Sequence, residues 1–402
     1  MADMNARKII EALRSGIPSR AVGRAFTEAR QDLLSLELDD LEAVCENDVS
    51  KGRIILGRYG EGKTHLLNTV FSLAQDSNMV VSCMSISKES PFDKMHLVYQ
   101  KLMANTYLPK KEEPGITELL EKLTPNSSAA SELTAYAAGQ LESDKLYFLL
   151  RTYLNDPDQD DRLRLLSDFE GDFISNADLK KSYRLTFKEP AKYRTPFKKT
   201  VHMHDYFSFM SYLFRLSGYA GWVILVDEAE LMGRLGKKAR LKSYGNIEWF
   251  LNPEGALKNT YTMFAFASSY EEDVIDRKHE LQNLEEAQLE NEADIKTAIR
   301  EITRGKQLNP MSKDEILAIC TKIMEMHALA YEWDPGITPE ELIRKAGNNG
   351  YLLRTRLRSM IEYLDQLYQY GTAEETEIGS LKEESYDSDT VSLEDLDERV
   401  SS

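Results

Sequence analysis

The sequence predicts an α/β fold: a three-layer domain with a parallel sheet, a large helical insertion and an α-helical lid towards the C-terminus. Two apolar strand-like runs, 53–56 and 79–87, flank a helix-like segment, and this β–α–β order is typical of a parallel sheet. Two later apolar runs, 222–226 and 261–267, predict further strands. Helical patterns fill the interval 88–221, which is too long for a loop, and we therefore predict a helical insertion there.

The composition is that of an ordinary globular protein. Of the 402 residues, 42% are hydrophobic and 29% are charged, and the formal net charge is −17. Three dispersed cysteines, Cys45, Cys83 and Cys320, indicate no disulfide framework. No apolar run reaches the ~18 residues of a membrane-spanning helix, and no secretory signal is recognisable. We expect a cytoplasmic protein that is neither secreted nor membrane-spanning.

The N-terminal residues 5–47 are predicted to be helical, with two apolar stripes on either side of a turn at Ser15–Arg20. Three arginines of this segment, Arg20, Arg24 and Arg30, have two interpretations. In the first interpretation they approach a nucleotide base or a neighbouring subunit. In the second they form a helix face exposed to solvent.

A glycine-rich turn follows the first strand. Its sequence matches the pattern Gly-x4-Gly-Lys-Thr of a P-loop, and it lies between a β-branched run and a helix-like segment, as that motif requires. The glycines allow backbone N–H groups to surround a phosphate, and the positive end of the following helix faces the same group. Lys63 can reach the β- and γ-phosphates, and the Thr64 hydroxyl can join the shell of Mg²⁺. The predicted ATP-binding residues are Gly57, Arg58, Tyr59, Gly60, Glu61, Gly62, Lys63, Thr64 and His65.

Polar residues also end the two later strands. After 222–226 come Asp227, predicted to bind the Mg²⁺ shell through water, and Glu228, predicted to orient the attacking water; this is the Walker B arrangement. After 261–267 come Ser268 and Ser269. Ser268 is the candidate for a residue between the γ-phosphate and the attacking water, and a serine pair that opens a turn is the alternative.

The C-terminal part begins with helices. Capping patterns at Ser312–Glu315 and Thr338–Glu341 predict the starts of two of them. After a Gly-Asn-Asn-Gly break at 347–350, a third amphipathic helix is predicted over 351–368. We interpret these helices as a small lid over the nucleotide.

These patterns predict a division of the chain into four parts. We expect an N-terminal helical segment over 1–50, a nucleotide-binding core over 51–310, a helical lid over 311–370 and an acidic, disordered tail over 371–402. The tail holds 11 acidic and 2 basic residues. The remainder is therefore only mildly acidic, and its charge does not exclude a local nucleic-acid surface.

The sequence holds two basic clusters, and the first is a candidate surface for nucleic acid. The range Lys180–Lys199 holds eight basic residues and one acid, with four aromatic residues interleaved. Cations for phosphates and rings for base stacking are typical of a DNA-binding surface, and a solvated loop whose rings pack on the insertion is the alternative. The second cluster, over Arg234–Lys242, predicts a subunit boundary, a central channel or a mobile surface loop.

Other kinds of catalytic or metal site lack support. His202 and His204 are close in sequence, but no cysteine or third histidine lies near them, which argues against a metal site. Motifs of proteases, esterases and nucleases do not occur.

With the P-loop, the Walker B strand, the polar strand end and the helical lid in this order, the chain resembles the AAA+ ATPases. More narrowly, it resembles the ATP-binding proteins of the bacterial BREX phage-defence systems (the BrxD-like family). The resemblance extends from about residue 8 to about residue 368. The segments that carry it are Leu13–Arg20, Leu56–Leu67, Ser90–Phe92, Asp227–Glu228 and Met326–Pro335.

The resemblance implies a P-loop AAA+ core with ATP and Mg²⁺ as cofactors and with the roles given above for Lys63, Thr64, Asp227, Glu228 and Ser268. It also implies an arginine that acts on a neighbouring subunit's ATP. Arg300 fits this role, and Arg277 and Arg304 are alternatives. A sensor arginine at the start of the last lid helix would be Arg354. Leu353 stands where the AAA+ pattern usually has a proline, and Gly350 occupies another arginine position.

The resemblance further implies a homo-oligomer with a helicase- or nuclease-type protein partner. ATP hydrolysis would then drive assembly or remodelling of a DNA-acting complex in anti-phage defence. Two other functions remain open: a nucleotide-dependent switch or scaffold with slow turnover, and a DNA-binding initiator or helicase loader.

Overall fold

The computed structural model describes residues 3–16, 19–27, 30–346 and 352–373. The predicted break at 347–350, the arginine position at Gly350 and all but the first three residues of the predicted tail lie outside the described residues. Within the described ranges, no helix has the length and apolar character needed to cross a membrane.

One sheet of six strands, in the spatial order β3-β2-β4-β5-β1-β6, forms the centre of the described structure. The strands are β1 (Lys51–Gly57), β2 (Met79–Ser85), β3 (Thr106–Tyr107), β4 (Gly221–Asp227), β5 (Thr260–Ala267) and β6 (Lys306–Gln307). Every neighbouring pair is parallel except β2 with β3. The predicted α/β fold with a parallel sheet is therefore confirmed. The short antiparallel edge strand β3, inside the interval 88–221, was not predicted.

The order of the strands makes β1 the point where the chain reverses direction across the sheet. From β1 the chain crosses to β2, which lies beyond β5 and β4, and from β5 it returns past β1 to β6. In open α/β sheets such a reversal leaves a crevice outside the carboxyl ends of the strands. The glycine-rich turn follows β1 at this crevice.

The helices surround the sheet on both faces. They are α1 (Met4–Ser15), α2 (Arg20–Ala25), α3 (Gln31–Glu46), α4 (Lys63–Asp76), α5 (Met95–Met103), α6 (Thr117–Glu121), α7 (Ser128–Gly139), α8 (Lys145–Asn155), α9 (Gln159–Ser167), α10 (Asn176–Phe187), α11 (Met203–Leu216), α12 (Lys237–Leu251), α13 (Glu280–Ala287), α14 (Glu292–Thr303), α15 (Lys313–Tyr331), α16 (Pro339–Ala346) and α17 (Leu353–Tyr370). Short 3₁₀ and π-helical segments, among them the 3₁₀ turn Ala229–Arg234, join some of them.

Side-chain alternation along β1 shows how the layers form. Ile54 and Leu56 face a core shared with α5, α11, α12 and the rest of the insertion. Ile55 points to the other face, where it packs with α3 and α4. Both faces of the sheet are thus covered, as a buried parallel sheet requires.

The interval 88–221 holds helices α5 to α11 and the short strand β3. A buried ion pair joins two of its parts: Lys145 Nζ lies 2.7 Å from a carboxylate oxygen of Asp168, and both side chains are fully buried. Tyr206 donates a hydrogen bond of 2.5 Å to the same carboxylate. Because a buried charge is costly unless it is paired, this cluster fixes how α8 and α11 meet.

Helices α15, α16 and α17, which we predict to form the lid, share their hydrophobic core with α1 and α2. Arg14 of α1 makes a two-pronged contact with Asp365, at 2.7 and 2.8 Å, and Asp365 also contacts His327 at 3.0 Å. Trp333 donates to His327 at 2.9 Å. This network joins two of the segments that carry the family resemblance, Leu13–Arg20 and Met326–Pro335. Both predicted capping boxes, at Ser312 and Thr338, are present.

Candidate functional site

The glycine-rich turn runs from the end of β1 to the start of α4. Gly60 and Gly62 adopt φ angles of +79° and +99°, which disfavour residues with a Cβ. The residue before α4 is Gly62, and no side chain caps the helix. The first amides of α4 are therefore available to an anion, which the positive end of the helix also favours.

Lys63 is buried at the base of this turn. Its ammonium group donates a hydrogen bond of 2.9 Å to the carbonyl oxygen of Gly57 and lies 4.0 Å from a carboxylate oxygen of Glu230. The other carboxylate oxygen of Glu230 accepts a hydrogen bond of 3.1 Å from the amide of Ala267, at the end of β5. Burial raises the pKa of Glu230, and the positive charge of Lys63 opposes this shift.

Glu230 was missed in the sequence analysis. The sequence offered one sign of its role, which is that an acidic residue stands two positions after Glu228. Because the 3₁₀ turn Ala229–Arg234 folds the chain back, this acid comes to lie between Lys63 and the end of β5.

The two predicted metal-binding side chains are in direct contact. The Thr64 hydroxyl donates a hydrogen bond of 2.6 Å to Asp227, and the second oxygen of Asp227 accepts from the amide of Glu228 at 2.9 Å. A hydroxyl and a carboxylate are oxygen ligands of the kind that Mg²⁺ prefers.

Glu228 leaves the strand in a left-handed conformation, with φ of 53° and ψ of 36°. Its side chain is exposed at the carboxyl end of β4. Desolvation, followed by the negative charge of Asp227, raises the pKa of its carboxyl group. A carboxylate with a raised pKa accepts a proton more readily, as a group that polarises water must.

Ser268 lies beside the base of the turn, because Ala267 pairs with Gly57 across β5 and β1. Its amide donates a hydrogen bond of 3.2 Å to the Gly57 carbonyl, the same oxygen that Lys63 contacts. Ser269, the second candidate, is exposed.

The start of α17 faces the glycine-rich turn. A Cβ built on Gly60 would lie 3.4 Å from Leu352, and one built on Gly62 would lie 3.9 Å from Leu353. Arg354 donates a hydrogen bond of 3.3 Å to the Tyr59 hydroxyl. The predicted sensor arginine therefore lies next to the turn.

Arg30 joins the turn to the lid, a role that the sequence analysis did not assign to it. Its guanidinium group donates to the carbonyl oxygens of Glu61, at 2.8 Å, and Asn309, at 2.7 Å. Its amide donates to the carboxylate of Glu315 in the capping box of α15, at 2.6 Å.

The two other arginines of the N-terminal segment, and His65 of α4, make structural contacts. Arg20 lies over the rings of Phe71 and Tyr107, 4.2 and 3.6 Å from their centroids. Arg24 forms an exposed ion pair with Asp76. His65, at the start of α4, contacts the Phe26 carbonyl oxygen at 3.2 Å, and burial lowers the pKa of its imidazole.

The three candidates for an arginine that acts between subunits are all exposed. Arg300 lies in the last turn of α14, and Arg304 follows that helix. Arg277 pairs with Asp273 one helical turn away, at 3.0 Å.

The rings between Lys180 and Lys199 are packed into the insertion, which favours the alternative given for them over stacking on bases. Tyr183 and Phe197 are buried, and Phe187 and Tyr193 pack against the same core. Tyr193 stacks on Phe148 with 4.8 Å between ring centroids. The four aromatic residues of this basic cluster are therefore part of the hydrophobic core or packed against it. The basic side chains of this range are exposed.

In the second basic cluster, over Arg234–Lys242, two of the basic side chains also make contacts within the fold. Arg240 is buried and pairs with Glu280 at 2.6 Å, and Lys237 pairs with Glu286 at 2.8 Å. These two residues fix α12 against α13. The prediction of a mobile surface loop is wrong for 237–242, which belong to α12.

The two neighbouring histidines face different surroundings. His202 is buried, and its Nδ1 accepts a hydrogen bond of 2.9 Å from the Lys198 amide. His204 stacks on Trp249 with 4.0 Å between the ring centroids. In the described part of the chain, no group of three or more potential ligands has the geometry of a metal site.

Comparison with protein families identifies the family to which the chain belongs. The model of the family described as BREX system ATP-binding protein BrxC/D matches residues 2–145 and 158–382. Comparison with the curated proteins and with the solved structures found no significant match. The family match covers most of the chain and includes every residue of the site described above, so the protein belongs to the BrxC/D family of BREX ATP-binding proteins and is an ATP-binding component of this phage-defence system.

Proposed function

We propose that the chain is a P-loop ATPase of the AAA+ type, which binds ATP with Mg²⁺ at the turn between β1 and α4 and hydrolyses it. One observation carries the proposal: the carboxyl ends of three adjacent strands, β4, β5 and β1, bring together an acid pair, a serine and the glycine-rich turn with its buried lysine. The reversal of the chain at β1 supports a ligand site at this edge.

The residues of the turn fit a nucleotide. Two glycines with positive φ leave room for phosphate oxygens, the uncapped start of α4 offers N–H donors, and Lys63 offers a buried cation. Thr64 and Asp227 are the pair that would hold Mg²⁺, which neutralises phosphate charge when it is bound. The carboxylate of Glu228 would orient a water molecule, and Ser268 would hold that water from the β5 side.

The remaining proposals concern the domains and the partners. We assign the core to 51–310, with the insertion at 88–221, and the lid to 311–370, to which the packing of α1 adds an N-terminal helix. The exposed position of Arg300 suits an arginine that completes a neighbour's site in a homo-oligomer. Turnover would then depend on self-association, and its work would be the remodelling of a DNA-acting partner complex.

The test is ATP turnover and ATP binding in two variants. Lys63→Ala removes the phosphate cation and is expected to abolish turnover. Glu228→Gln is expected to reduce turnover at least about 100-fold and to leave ATP binding within a few-fold of wild type, because the phosphate contacts remain. Release of phosphate and binding of a fluorescent ATP analogue measure the two quantities. Loss of ATP binding in Glu228→Gln would refute the role assigned to this residue.

A slow nucleotide switch is the second candidate, and the contacts of Arg30 favour it. Because the side chain of Arg30 joins the turn to the linker at Asn309, and its backbone amide contacts the start of the lid, occupancy of the turn can change the position of the lid without rapid hydrolysis. Wild-type turnover that stays low at every protein concentration, with and without DNA, would favour the switch.

A further inference from the structure

A cavity of about 280 Å³, lined by several charged side chains, lies apart from the glycine-rich turn. Three parts of the chain form it: the end of the segment after β2 with the start of α5, the end of the segment after α10 with the start of α11, and helix α12. Its charged and imidazole side chains are Asp93, Lys94, His96, Lys199, His204 and Lys242.

Buried contacts hold the backbone on the β2 side of the cavity. Phe92 is fully buried and packs edge-on against Phe264, with 5.5 Å between the ring centroids. The Asn246 side chain donates a hydrogen bond of 2.7 Å to the Phe92 carbonyl, which ties this segment to α12. The Ser90–Phe92 segment, one of those that carry the family resemblance, therefore fixes the backbone next to Lys94.

A tight turn holds the opposite side. The amide of Lys198 donates to the His202 imidazole, and the amide of His202 donates back to the Lys198 carbonyl, both at 2.9 Å. Lys199 projects from this turn. Lys94 and Lys199 thus extend from backbone that hydrogen bonds hold on two sides of the cavity. Lys242 extends from helix α12.

The charge of the cavity is positive. None of the three lysines has a carboxylate within ion-pair distance in the described ranges, and Asp93 is the one acid in the lining. Burial raises the pKa of Asp93. Lys94, Lys199 and Lys242 line the same cavity as His96. Burial lowers the pKa of His96, the charges of these three lysines lower it further, and the charge of Asp93 opposes the shift.

The imidazoles add neutral donors. Burial lowers the pKa of His204 to about 4, so this ring is uncharged at neutral pH and its stack on Trp249 leaves its edge for hydrogen bonding. A neutral imidazole carries one N–H donor.

We infer that this cavity binds a phosphate group, held by Lys94, Lys199 and Lys242 with an imidazole donor. The volume is close to the lower limit of about 300 Å³ for small-molecule sites, and it suits one phosphate with its neighbouring sugar rather than a whole cofactor. The same chemistry is offered by a phosphodiester of a DNA strand and by free inorganic phosphate. The inference does not depend on ATP hydrolysis, because no residue of the glycine-rich turn takes part.

The experiment uses the full chain without ATP. Fluorescence anisotropy measures binding of a labelled 20-nucleotide single strand and of its duplex at two salt concentrations. Thermal unfolding in phosphate, against chloride at equal ionic strength, measures binding of inorganic phosphate. The test variant combines Lys94→Ala, Lys199→Ala and Lys242→Ala. The control combines Lys8→Ala, Lys101→Ala and Lys313→Ala, three exposed lysines outside the cavity that give the same change in net charge.

For a DNA phosphodiester we expect the test variant to bind oligonucleotide at least about 10-fold more weakly than the control, with a salt dependence lower by about two ions. A phosphate-dependent rise in melting temperature in wild type and control, lost in the test variant and without oligonucleotide binding, would identify free phosphate as the ligand. Equal behaviour of test and control variants in both assays, or no response of the wild type in either, would overturn the inference. Lys242→Glu, a single exposed change, serves as the second variant, and far-UV circular dichroism confirms that each protein is folded.

Discussion

At the scale of single residues, two carboxyl groups lie next to cations, the fully buried Glu37 and the mostly buried Glu230, and burial raises the pKa of both. Glu230 lies between Lys63 and the end of β5, where its charge competes with a phosphate for the same ammonium group. Glu37 lies on α3, accepts a hydrogen bond from Tyr261 and pairs with Arg53 at 3.1 Å. The first carboxylate therefore concerns the site, and the second concerns the attachment of α3 to the sheet.

Glu37 predicts a measurable dependence of stability on pH. Burial raises its pKa from 4.5 to about 7, so between these values the folded protein holds a proton that the unfolded chain releases. The contribution of Glu37 to the free energy of unfolding therefore falls as pH rises through this window and is constant above it. Glu37→Gln keeps an acceptor for Tyr261 and does not titrate. From pH 5.5 to pH 8, its stability relative to wild type should rise by about 2 kcal/mol. Urea unfolding of both proteins at several pH values measures this difference, and parallel curves would contradict the prediction.

At the scale of elements, the sequence was most informative where a structure depends on neighbouring residues. The strand–turn–helix at 51–76, the acids after β4 and the capping boxes at Ser312 and Thr338 all follow from local patterns. The contacts of Arg30 and of α1 with the lid join residues far apart in the chain, and no local pattern encodes them. The rings at 183–197 were ambiguous for the same reason, because composition does not show what lies beneath a ring.

Arg30 offers a test of how the turn and the lid are joined. Arg30→Ala removes the hydrogen bonds to the carbonyl oxygens of Glu61 and Asn309, and we expect the free energy of unfolding to fall by about 2 kcal/mol. Hydrogen–deuterium exchange should increase in both 58–62 and 309–315. Arg24→Ala is the matched control, because it breaks only an exposed ion pair in the same segment and should cost less than about 1 kcal/mol. Unchanged exchange in 309–315 would show that the side chain of Arg30 does not hold the segment that leads into the lid.

At the scale of the whole molecule, the proposal that Arg300 completes a neighbouring subunit's site predicts a dependence of turnover on self-association. Arg300→Ala and Glu228→Gln are each expected to reduce turnover strongly, since one lacks the arginine given to a neighbour and the other lacks the residue that orients water. A mixture of the two variants forms some interfaces in which one subunit supplies Glu228 and the other supplies Arg300. Turnover of the mixture should therefore exceed that of either variant alone, and it should rise with protein concentration.

A steady-state phosphate-release assay over a range of mixing ratios measures this rescue. Glu301→Gln, an exposed change next to Arg300, is the control and should leave wild-type turnover unchanged. If the mixture only averages the two variants, the arginine acts within its own subunit or is another residue, and Arg304 is then the next to replace.

The hydrophobic core that α1 shares with the lid helices can form only late in the synthesis of the chain. Ile9 and Ile10 leave the ribosome before any strand, but their partners in α15 and α17 are made after the entire sheet. Contacts between such distant parts of a chain form late, and domains fold as they emerge. The sheet and the glycine-rich turn can therefore assemble while the apolar face of α1 is still uncovered. A nascent chain stalled before Lys313 would expose this face, and it would be a substrate for chaperones even though its glycine-rich turn was already complete.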